Sequence, residues 1–141
     1  MLMAYRNILV ALDTRDEAAE VLESVQKVMS QEDSSVSIFH VIRPLTGFYV
    51  DMASVLNAES KAIDQAFHWL ERLAEGHDIS PDSIDVVLGT PTTEIWRKAQ
   101  QINADLVVLG THGRHGHGKI LGSTANGVCN TAPCDVLAIR V

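Results

Sequence analysis

The sequence predicts an α/β fold with a doubly wound, five-stranded parallel sheet and four helices, and three observations carry that prediction. Short, almost wholly apolar runs recur along the 141 residues, as in strands covered on both faces. Between them lie stretches whose apolar residues recur every third or fourth position, the stripe of an amphipathic helix. The two kinds of segment alternate strictly, and right-handed crossovers turn such alternation into a parallel sheet flanked by helices.

The elements follow in order. Asn7-Ile8-Leu9-Val10-Ala11-Leu12, ended by Asp13, reads as the first, central strand. Ala18, Val21, Leu22, Val25, Val28 and Met29 then share one helical face. The β-branched run Ser35 to Ile42 is a second strand, stopped at Arg43-Pro44 because proline cannot extend a central ladder. Residues 43 to 56 read as an apolar connection with Leu45, Phe48, Tyr49, Val50 and Met52, suited to a lid, a partner contact or packing on the domain edge.

A second helix over residues 57 to 75 carries Ala62, Ala66, Trp69, Leu70 and Leu73 on one face, with Gly76 as its C-cap. Ile84 to Leu88 is the third strand, and Gly89-Thr90-Pro91 turns the chain into a third helix with Ile95, Ala99 and Ile102. Asp105 to Leu109 is the fourth strand. A glycine-rich loop runs from Gly110 to Gly122, a fourth helix starts near Ser123, and residues 135 to 141 form the fifth strand. This is a Rossmann-like pattern, and such sheets hold ligands beyond the carboxyl ends of their strands at the switch point.

Composition bounds the function. Hydrophobic residues make up 46% and charged residues 21%, as expected of one globular domain spanning residues 1–141. A net charge of −7 disfavours nucleic acid and anionic membranes as partners. No apolar run approaches a bilayer span, and the opening residues lack signal-peptide organisation, so a cytoplasmic location is expected. Cys129 and Cys134, set among Val128, Ala132 and Val136, read as two small buried thiols.

The stretch from Leu109 to Thr124 has the composition of a phosphate cradle. Glycines let backbone N–H groups approach an anion, and the following helix N-terminus adds its dipole and the Ser123 and Thr124 hydroxyls. Lys119 and Arg114 can offset phosphate charge. Gly113-x4-Gly118-Lys119 overlaps most of a P-loop, but Ile120 stands where a Mg²⁺-binding Ser or Thr belongs. His112, His115 and His117 could hold a transition metal, although their glycine flanks provide no rigid outer shell.

The chain resembles the universal stress protein family along its whole length. The resemblance rests on the opening Ile8 to Asp13, Val41 closing strand two, the Gly89-Thr90-Pro91 turn, the Asp105 to Gly113 core and the closing Ala132 to Leu137. The nucleotide-binding members carry Gly-x2-Gly-x9-Gly followed by Ser or Thr. By that resemblance Ala11, Asp13 and Val41 border an adenine, Leu109 and Gly110 lie near the nucleoside, and Gly113, Gly122, Ser123 and Thr124 meet phosphates. This chain departs from the pattern by one residue, with eight positions between Gly113 and Gly122.

ATP or AMP, with Mg as a possible companion, is thus the expected ligand, and no residue is named as catalytic. Asp13 could instead cap the next helix near Thr14. The last strand, as an exposed edge, would be covered by the same strand of a second copy, giving a homodimer. Three readings stay open: a nucleotide-responsive stress regulator with a protein partner still unknown, a dimeric interaction module without nucleotide, or a weak Mg-dependent ATPase.

Overall fold

The computed structural model describes residues 5–13, 15–28, 34–44, 51–111 and 123–141. Five strands, β1 (Asn7–Ala11), β2 (Ser35–Ile42), β3 (Ile84–Leu88), β4 (Leu106–Gly110) and β5 (Asp135–Ile139), alternate with α1 (Arg15–Val28), α2 (Met52–Gly76), α3 (Pro91–Gln101) and α4 (Ser123–Thr131). A 3₁₀ turn at Pro81–Ser83 precedes β3. Every strand pairing is parallel, and the order is β3-β2-β1-β4-β5.

Side chains alternate across the sheet, so each strand contributes to two cores. Ile8, Val10, Ile38 and Val108 face α1 and α2, where they meet Val21, Leu22, Leu70 and Ala74. Leu9, Ala11, Phe39 and Leu109 face α3 and α4 and meet Ile95, Ala99, Ala125 and Val128. Because β1 lies between β2 and β4, its residues Ile8, Leu9 and Val10 are wholly buried.

The carboxylate of Asp105 sets the register at the lower end of β1. It accepts hydrogen bonds from the backbone N–H groups of Arg6 and Asn7 at 2.9 and 2.8 Å. Asn7 in turn donates from its side chain to the Ile102 and Asn103 carbonyls, tying the end of α3 to the central strand.

Two expectations about α2 need correction. The helix starts at Met52 rather than 57, because Asp51 accepts from the Ser54 N–H at 2.8 Å and its hydroxyl at 3.1 Å, a side-chain N-cap. The connection before it is correspondingly shorter, and residues 45–50 lie outside the described residues. At the other end Gly76 is still helical. The left-handed position is taken by Asp78 at φ 56°, with Ile79 N–H bonded to Ala74 O and Asp78 N–H to Glu75 O. Asn103, at φ 54°, ends α3 in the same way.

The cysteines also differ from expectation. Cys134 is half-buried, but Cys129 is exposed, one position round α4 from the buried Val128. Trp69 packs against the core, whereas Trp96 on α3 is 38% exposed.

Candidate functional site

The chain runs from β1 outward through β2 to β3, then returns so that β4 enters on the other side of β1. Beyond the carboxyl ends of β1 and β4 the crossovers leave to opposite faces, and a crevice opens between them. A cavity of about 410 Å³ occupies this place, within the usual range for a small-molecule site.

Six residues expected at a ligand site line it together: Ala11, Asp13, Val41, Leu109, Gly110 and Thr124. The strands position five of them. Ala11, Val41 and Leu109 point to the α3/α4 face at the ends of three neighbouring strands, which makes an apolar floor. Asp13 is exposed just past β1, and Thr124 stands in the first turn of α4.

Gly110 sits in close quarters. A Cβ there would lie 3.1 Å from Val141 Cγ2 and 3.5 Å from Glu17 Oε2, so a side chain would crowd the place where α1 and the strand after α4 approach β4.

Besides the buried Leu12, Val21 and Ala125, four lining residues escaped the sequence reading. Glu17 comes from the first turns of α1, Arg43 from the residues just past β2, and Pro91 and Ile95 from the start of α3. Pro91 had a readable signal, since proline at the first helical position marks a helix opening toward the sheet's carboxyl edge. Glu17 and Arg43 carry no motif; only the folded chain brings them together.

The described wall thus holds two carboxylates, Asp13 and Glu17, and one guanidinium, Arg43. A carboxylate can accept hydrogen bonds from an amino or hydroxyl group, and the apolar floor can receive a flat ring. The residues present therefore fit the nucleoside part of a nucleotide. Gly113 and Gly122 lie outside the described residues, as do Arg114, Lys119, Ile120 and the three histidines of the loop; Ser123 opens α4 with only its backbone described. The cap position before α1, residue 14, also lies outside them. Among the described residues no cluster of three metal-ligating side chains occurs.

Known proteins share this architecture. A hypothetical protein, MJ0577, solved to assign its biochemical function, superposes with a TM-score of 0.79 at 21% identity, covering 99% of this chain and 98% of that one. A universal stress protein in complex with cAMP superposes with a TM-score of 0.69 at 22% identity, over 97% and 98%. In sequence, the universal stress protein A homolog 1 of Coxiella burnetii is 31% identical over 140 residues, covering 97% of each chain. The homolog 2 of the same organism is also 31% identical, over 97% of this chain and 96% of the relative. The family model for universal stress proteins matches residues 4–140, so that sequence and sheet order agree across nearly the whole length: the chain belongs to the universal stress protein family.

Proposed function

We propose that this chain binds an adenine nucleotide, ATP or AMP, in the crevice between β1 and β4 and works as a nucleotide-responsive regulator in stress survival. One observation carries the reading: residues from three strands and α4, matched to the family's nucleotide pattern, line one cavity of suitable size. Ala11, Val41 and Leu109 would hold the adenine ring, and Asp13 would accept from its amino group. Gly110 would leave room for the sugar, while Gly113, Gly122, Ser123 and Thr124 would receive the phosphates, with Mg as a counter-charge.

The cAMP complex of a structurally similar protein supports an adenine ligand in this fold. Two acidic side chains in the wall would repel an uncompensated triphosphate, which makes divalent cation a requirement for ATP more than for AMP. In this reading residues 1–141 form one domain that works in the cytoplasm, pairs with a second copy through β5, and passes its nucleotide state to a protein partner.

The test is calorimetry on stripped protein with ATP and AMP, with and without Mg²⁺, alongside mass spectrometry of the protein purified without added nucleotide. Dissociation constants in the micromolar range, raised about tenfold or more by Asp13→Ala, are the expected result, with the thermal midpoint followed alongside to separate a structural role of Asp13; truncating one partner of a charged hydrogen bond has that scale. No binding at millimolar nucleotide would overturn the reading and leave the dimeric interaction module. Phosphate release approaching ~1 per second, the low end of ordinary turnover, would instead favour the Mg-dependent ATPase.

A further inference from the structure

β1 ends at Ala11, yet the two residues that follow it, Leu12 and Asp13, line the cavity. Their position is fixed from β2. Leu12 N–H donates to the Phe39 carbonyl at 2.9 Å, and the Leu12 carbonyl lies 2.6 Å from Nδ1 of His40. A carbonyl oxygen only accepts, so Nδ1 carries the proton and the imidazole donates. Leu12 is thereby held by main chain on one side and by a side chain on the other, and it is 3% exposed.

The imidazole is itself seated. On β2, His40 shares the sheet face of Val36 and Ile38, and its ring meets Trp69 of α2 edge-on, with centroids 5.8 Å apart and planes at 72°. Trp69 packs on the core beneath. A continuous set of contacts therefore runs from α2 through Trp69 and His40 to the carbonyl immediately before Asp13.

We propose that His40 is a positioning residue for ligand selection: by holding the Leu12 carbonyl it fixes the direction in which Asp13 enters the cavity, and so the preference for a purine with its amino group at C6, as in adenine, over one with a carbonyl there, as in guanine. The proposal rests on the nucleotide reading above for its effect on binding, but not for its effect on the backbone. His40 is not among the residues that line the cavity; it works through the peptide that carries Asp13.

Two variants separate its parts. His40→Phe keeps a ring against Trp69 and removes the donor; His40→Asn removes the ring and keeps an amide donor near the place of Nδ1. For each, ATP and GTP affinities are measured by calorimetry on the full chain, and Leu12 amide exchange by NMR without ligand. His40→Phe should weaken ATP by about three- to tenfold, the range of one hydrogen bond. It should change GTP less, so that the ATP to GTP ratio falls, and it should speed Leu12 exchange; His40→Asn should restore both.

Equal damage from Asn and Phe would overturn the proposal by assigning the effect to ring packing. So would loss of ATP and GTP affinity in equal measure with unchanged Leu12 exchange. In the wild-type protein, ¹⁵N shifts that put the proton on Nε2 instead of Nδ1 would overturn it without any variant. If the wild type binds neither nucleotide, the proposed function fails alone, and the exchange data with the tautomer still decide whether His40 holds this peptide.

Discussion

Cys129 and Cys134 stand five positions apart on the chain and differ in chemistry. Burial, followed by the negative charges of Asp135 and Asp105, pushes the Cys134 thiol above its ordinary value, so less of it is thiolate at neutral pH. Cys129 is exposed. A thiol-alkylating reagent at neutral pH should therefore modify Cys129 several-fold faster than Cys134, read by peptide mass spectrometry against time; equal rates would contradict the burial difference. The sequence did not reveal this. Apolar neighbours at 128, 132 and 136 surround both cysteines in one dimension, and only the rotation of α4 puts Cys129 outside. The same limit explains the site: Ala11, Asp13, Val41, Leu109, Gly110 and Thr124 were legible because strand ends and a family pattern point to them. Glu17 and Arg43 are ordinary surface residues until the fold packs α1 on β1 and β4 and brings the end of β2 to the same cavity.

At the scale of elements, strands were the easiest to read, since apolar runs bounded by Asp13, Arg43 and Gly89 leave little choice of limits. Helix ends were harder because caps are made by side chains whose effect depends on local angles. Asp51 is such a case: hydrogen bonds from the Ser54 N–H and then its hydroxyl hold its carboxyl below the ordinary 3.8. A lowered folded value means that the capped state is favoured fully above pH 3.8 and progressively less as pH falls through the folded value. Protection of the Ser54 and Val55 amides, taken relative to the intrinsic exchange rate at each pH, should thus fall on acidification below pH 3.8, and Asp51→Ala should show that low protection already at pH 7. An acid-insensitive wild type would rule out the charged cap. Between α3 and α4 the chain has a close approach: a Cβ at Gly127 would lie 2.9 Å from Thr92 Oγ1 and 3.0 Å from its Cγ2. Gly127→Val should cost roughly 1–3 kcal/mol in denaturant unfolding, the range for overpacked interiors. By shifting α4 it should also weaken any ligand that reaches Thr124. Unchanged stability would mean that the two helices separate freely.

For the whole molecule, the sheet has two open edges, β3 and β5. The β5 edge carries Val136, Leu137, Ala138 and Ile139, all half-buried, a strand with apolar character on both faces. Thr111 N–H donates to the Ile139 carbonyl, which turns residue 139 inward to β4 and, by alternation, turns the N–H of Ala138 outward. Proline at 138 would then remove no bond within the chain but would block pairing with a second β5. Light scattering should find a dimer for the wild type and a folded monomer for Ala138→Pro. A wild-type monomer, or a dimer that survives the proline, would move the interface elsewhere. Among the described residues no helix is long and apolar enough to cross a membrane.

The position of β1 also orders events in time. Its first partner, β2, follows closely in the chain, whereas Asn7 bonds to Asp105 across 98 positions. Closing so long a loop is slow compared with local pairing, and during synthesis β4 leaves the ribosome well after β1, β2 and β3. A nascent chain can therefore hold three paired strands while the crevice still lacks one wall. Ligand cannot assist the early collapse; it can only capture the product, so on the proposed function added nucleotide should slow unfolding and leave the refolding rate unchanged.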